Sequence, residues 1–136
     1  MTTRRDARRL AIDVLYQADI TGAEPADVVV SWREADRTVP PFALELVDGV
    51  VEHGPEIDLL LEEHAQGWTL ARMAVLDRTI LRVAVLELRH RPEVPRSVAI
   101  SEAVEAASEL SSDESKSFVN GILGRIAREP GGASEV

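Results

Sequence analysis

Catalysis needs acid, base or nucleophilic side chains that converge, and the candidates in this 136-residue chain are sparse. Its three histidines, His53, His64 and His90, stand on separate elements with no motif spacing to a serine, an aspartate or a second ligand. That argues against a hydrolase triad or a zinc site. The absence of cysteine removes disulfides, thiolate ligands and thiol catalysis, and suits a reducing compartment. Gly121 and Gly124 fall inside a helical repeat and the other glycines close elements, so no loop is shaped to cradle a phosphate. Acidic runs such as Glu62-Glu63 read as a solvated face. No catalytic residue, cofactor or metal is expected.

The remaining chemistry is that of recognition. Arg4, Arg5, Arg8 and Arg9 open the chain against Asp6 alone. On a helical wheel with Arg4 at zero, Arg5, Tyr16 and Arg9 fall at about 100°, 120° and 140°, away from the apolar stripe. Guanidinium groups grip phosphate bidentately and an exposed ring can stack on an unpaired base, the combination used for single-stranded RNA. An ordinary capped helix with a half-buried Tyr16 fits the same spacing.

The elements positioning these residues are helical. Ala7, Leu10, Ala11, Val14, Leu15 and Ala18 repeat as an amphipathic helix that stops at Thr21-Gly22. Pro25 opens a second helix toward Trp32, although Val28-Val29-Val30 alone would also suit a strand. Ala43 to Val51 gives a third, ended by His53-Gly54-Pro55, and Ile57 to His64 a fourth, closed by Gly67. From Met73 to Arg89 apolar residues cover almost every direction around the axis, predicting a central helix buried on most sides. After Pro92 and Pro95, Val98 to Leu110 carries a stripe of small residues. A capping box from Ser111 to Glu114 then starts a seventh helix through Ile126. Residues 1–128 are expected to form one domain and the polar 129–136 a disordered tail.

Charge is uneven along this frame. Residues 1–10 carry an excess of three positive charges; 21–67 hold eleven acids against Arg33 and Arg37; 71–96 again carry three in excess, within a total of −9. The first and third pieces could share a basic surface despite the acidic total. No apolar run reaches the roughly 20 residues of a membrane span, and the arginine-rich N-terminus lacks a signal-peptide core, so a cytoplasmic location is expected.

Phe118-Val119-Asn120-Gly121-Ile122-Leu123, Leu76-Asp77-Arg78-Thr79-Ile80-Leu81-Arg82, and Arg8-Arg9-Leu10-Ala11 with Leu15-Tyr16 occur in that combination and order. Across roughly residues 4–127 the chain resembles the NusB family of bacterial transcription antitermination factors. The resemblance implies an all-α, seven-helix fold, two three-helix bundles packed around a central helix, with no catalysis. It also implies a heterodimer with NusE, a small-subunit ribosomal protein, that binds the single-stranded boxA element of nascent ribosomal RNA, and indirect ties to RNA polymerase and other Nus factors. Carried over position by position, Arg4, Arg5, Arg8 and Arg9 fall in the basic RNA-binding segment and Tyr16 at the junction of RNA and protein partner. Asp77 and Glu114 match acidic positions toward NusE, with Lys116 and Phe118 beside the RNA. Asp6 departs from a position that is often basic. By the residues alone, Asp77 fits a structural salt bridge as well as a partner contact, and Phe118 fits core packing as well as stacking. Asn120 reads as a buried amide and Gly121 as a point of close backbone approach. Two other classes remain: the RNA-binding module of a methyltransferase system, and a protein-protein adaptor.

Overall fold

A computed structural model describes residues 3–129. Its helices are α1 (Arg4–Thr21), α2 (Pro25–Glu34), α3 (Pro41–Glu52), α4 (Gly54–His64), α5 (Val75–His90), α6 (Arg96–Leu110) and α7 (Asp113–Ala127), with a short 3-10 turn at Leu70–Arg72. Beyond Glu129 the expected tail lies outside the described residues. Glu129 itself is tied down, its carboxylate 2.9 Å from His64 Nε2 and 3.5 Å from Arg89.

Local chemistry sets the boundaries. Thr3 caps α1: its hydroxyl accepts from the Asp6 N–H at 3.1 Å and the Asp6 carboxylate accepts in return from the Thr3 N–H. Gly22 ends the helix at φ +77, a left-handed conformation that costs glycine little. Proline occupies the first turn of α2, α3 and α4, where its missing N–H has no intrahelical partner to lose. The valine run at 28–30 is helical, with Val28 and Val29 turned into the core beside Trp32. For α7 the cap is Ser112 rather than Ser111, its hydroxyl accepting from the Ser115 N–H at 3.1 Å.

The central helix is α5, which touches α1, α3, α4, α6 and α7. On one side α1 packs with α2 and α3; on the other α7 packs with α4 and α6, giving the two expected groups of three. Residues 79–81 and 83–88 of α5 are all buried, which is why its sequence is apolar nearly all round. Helix α3 approaches α5 tightly at Gly49, where a Cβ would lie 2.6 Å from a Leu86 methyl. Gly121, expected to play that part, has no backbone against it, and Asn120 is exposed rather than buried. Both expectations are corrected: α7 turns that edge outward.

Candidate nucleic-acid and partner interface

The arginines opening α1 are not four equivalent cations. Arg8 points inward, its side chain 8% exposed, and makes a two-pronged ion pair with Glu87 of α5: Nε to Oε1 at 2.8 Å and Nη2 to Oε2 at 2.9 Å. Glu87 is 1% exposed. Burial pulls the guanidinium down. The hydrogen bonds and charge of Glu87, with the charge of Glu102, outweigh it and hold Arg8 above its ordinary pKa. This corrects the assignment of Arg8 to an RNA-facing surface, because a phosphate cannot reach a group enclosed with its counter-ion.

Arg5 and Arg9 lie outside, against α6. Arg5 pairs with Glu105 and, at 3.5 Å, with Glu102; Arg9 Nη1 is 2.8 Å from Glu109. That hydrogen bond and the Arg9 charge hold the Glu109 carboxyl below its ordinary pKa. The three glutamates form an acidic row spaced three and four apart, a signal present in the sequence but without a visible partner there. Arg4 is exposed, its guanidinium 4.5 Å from the Phe42 ring, with Arg8 at 5.6 Å and Arg91 at 5.3 Å around the same ring. Phe42, unremarked in the sequence, therefore gathers three cations.

Of the six arginines in residues 71–96, Arg78, Arg82 and Arg91 are taken up in ion pairs. Arg78 makes a two-pronged pair with Asp19 at 3.0 and 3.1 Å, Arg82 pairs with Asp58 at 2.9 Å and reaches Asp19 at 3.4 Å, and Arg91 bridges Glu45 and Glu93 at 2.8 Å each. The Arg78 hydrogen bond, helped by the charges of Arg78 and Arg82 and opposed by burial, holds the Asp19 carboxyl below its ordinary pKa. These three arginines tie helices and loops together, while Arg91 also joins Arg4 and Arg8 around Phe42 and Arg72 stays exposed.

Arg8 meets Glu87 while Asp19 meets Arg78, so α1 and α5 run antiparallel. Asp77 is thus about 15 Å from Glu87 along α5. The predicted site residues fall into two groups, one at each end of the α1–α5 pair. Half-buried Tyr16 lies about one turn before Asp19, toward the Asp77 end, and about 10 Å along the axis from Arg9; their proximity existed only in projection.

At that second end Asp77 is 7% exposed, and among the described residues no cation forms an ion pair with it. Its Oδ2 accepts from the Ser115 hydroxyl at 3.1 Å, and Oδ1 is buried without a partner. The Ser111 and Ser112 hydroxyls converge on Ser115 at 2.9 and 3.2 Å, holding it toward the acid. Asp77 lines a cleft of about 370 Å³ with Trp68, Arg72, Glu114, Ser115 and Phe118. Phe118 is half-buried against the core and meets Trp68 edge to face, centroids 6.0 Å apart. Arg72 sits 5.5 Å from the Trp68 ring. Glu114 and Lys116 are exposed at the start of α7. Trp68 belongs to the short link between α4 and α5. It is 46% exposed, unusual for a ring of that size.

A model of the NusB family matches residues 5–128. The chain belongs to the NusB family. Among similar relatives, the transcription antitermination protein NusB of Arthrobacter sp. strain FB24 is 50% identical over 127 residues, covering 93% of each chain. The NusB of Saccharopolyspora erythraea is 50% identical over 131 residues, covering 93% of this chain and 88% of its own. A solved structure of T. maritima NusB matches with a TM-score of 0.85 at 31% identity, over 94% of this chain and 92% of that one. A crystal structure of the antitermination factors NusB and NusE in complex with dsRNA matches with a TM-score of 0.82 at 28% identity, over 92% and 96%.

Proposed function

We propose that this chain is a non-catalytic transcription antitermination factor that binds NusE and, with it, the boxA element of nascent ribosomal RNA. The observation carrying this reading is the likeness, along nearly the whole chain, to the NusB of a complex holding both NusE and RNA. The two ends divide the work. Arg4, Arg5 and Arg9 supply phosphate contacts; Asp77 and Glu114 present acid to a basic ribosomal protein; Tyr16, Phe118 and Lys116 lie toward the boundary between the two ligands. Arg5 and Arg9 are released from α6 readily, since exposed ion pairs gain little over hydration of the separate charges. Bound to RNA through one surface and to a partner through another, the chain raises the effective concentration of leader RNA near the elongating polymerase.

Calorimetric titration with NusE, then with single-stranded boxA, double-stranded boxA and a scrambled strand, tests this. Asp77→Asn with Glu114→Gln should weaken NusE binding at an unchanged helical circular dichroism spectrum, because complementary charge is lost without adding bulk to a buried position. Unchanged NusE affinity would remove the acidic end from the interface, and equal affinity for the scrambled strand would reduce the RNA assignment to general phosphate binding.

A further inference from the structure

The histidines that looked isolated in the sequence are not all isolated in the fold. His53 closes α3 immediately before α4, Glu56 lies in the first turn of α4, and His90 is the last residue of α5. The His53 and His90 rings stack with centroids 3.7 Å apart and planes 12° from parallel. The Glu56 carboxylate spans their edges: its oxygens are 3.0 and 3.1 Å from His90 Nε2, and one is 3.8 Å from His53 Nδ1. A nitrogen from each ring and a Glu56 oxygen lie within 4.8 Å of one another, the one such group among the described residues. We propose that His53, Glu56 and His90 form a binding site for a divalent transition metal of the zinc class, at the junction of α3, α4 and α5.

Two neutral imidazoles and one carboxylate are a three-ligand set for zinc, with water completing a tetrahedron. Magnesium and calcium, which prefer all-oxygen shells, are disfavoured. A metal lies in the plane of the imidazole it binds, so the stack opens by rotation of the rings as the ion enters. Side-chain exposures of 30% for His53 and 29% for His90 leave room for that rotation and a path from solvent. Glu52, one oxygen of which is 3.9 Å from His53 Nε2, stands where it can accept the outer N–H of a ring ligating through Nδ1. Bound metal would clip the α3–α4 corner to the end of α5, well away from the Asp77 cleft.

The test uses the untagged full chain, stripped with chelator and titrated with Co²⁺. The wild type should develop visible ligand-field bands saturating at one equivalent and bleached by Zn²⁺, and its Tm should rise with added Zn²⁺. His53→Asn, His90→Asn and Glu56→Gln should each lower Co²⁺ affinity by at least about tenfold, a loss seen even on removing outer-shell partners. His64→Asn should bind as the wild type does, since His64 faces Glu129 and the Leu60 carbonyl elsewhere. A wild-type titration without bands overturns the site whatever the variants do. Bands that persist in both His53→Asn and His90→Asn overturn it equally.

Discussion

Single side chains decide which arginines of α1 face solvent and which face inward. Removing the Arg8 side chain with Arg8→Ala leaves Glu87 as a buried charge without its main partner, a loss that typically costs about 3–5 kcal/mol. Urea unfolding should read that cost, and Arg8→Met with Glu87→Leu should recover most of it, because the pair's volume is refilled without a charge. The surface arginines behave differently. Arg4→Ala, Arg5→Ala and Arg9→Ala combined should leave the urea midpoint close to that of the wild type, since the pairs lost are exposed. The same triple variant should lower RNA affinity in the presence of NusE and flatten its salt dependence by roughly 0.7 in slope per lost phosphate contact. Tyr16→Ala should weaken binding by about 1–3 kcal/mol with the slope nearly unchanged, as a stacked base is lost but no charge. Wild-type affinity and slope in the triple variant would move the RNA surface off α1.

Helices were the legible level because a repeat of 3.6 is written into consecutive residues. Even the valines at 28–30 resolve to helix once two of them are seen to enter the core. Legibility ended where meaning depended on another element. Arg8 and Arg9 are neighbours in sequence, yet one faces Glu87 and the other Glu109, partners 79 and 100 residues away. The acid row of α6 and the pairing of His53 with His90 were hidden for the same reason. Asp77 and Phe118 were singled out through motifs, but the cleft joining them to Trp68 follows from how α7 docks on α5. Helix contacts also reorder the glycines. Gly49→Ala should destabilise by about 1–3 kcal/mol, the range for overpacking, because Leu86 is buried and its branched end blocks the new methyl. Gly121→Ala should stabilise by roughly 0.5–1 kcal/mol, since the nearest atom to the new Cβ is an arginine tip at an ordinary 3.5 Å. Paired thermal melts check the opposite signs.

For the molecule as a whole, acid stability runs through the ion pairs that join its helices. Asp19 has its folded pKa held below the unfolded value of about 3.9 by Arg78 and Arg82. Its contribution is therefore fully present above that value and is lost as pH falls through the folded pKa. Asp19→Asn should be less stable than the wild type at pH 7, and the difference should shrink as acidification below about pH 4 protonates the wild-type carboxyl. Chemical unfolding across the acid range measures it, and a constant difference would assign the loss to packing. The antiparallel meeting of α1 and α5 also bears on the order in which the molecule is made. The counter-ion of Arg8 is synthesised 79 residues later. At about 5–20 residues per second, the first helix waits on the order of 4–16 s for the element that completes its burial. Until α5 arrives Arg8 lacks Glu87 and stands with Arg4, Arg5 and Arg9, so the nascent α1 segment carries one more unpaired cation than the finished fold leaves it, and the arrival of α5 turns that charge inward.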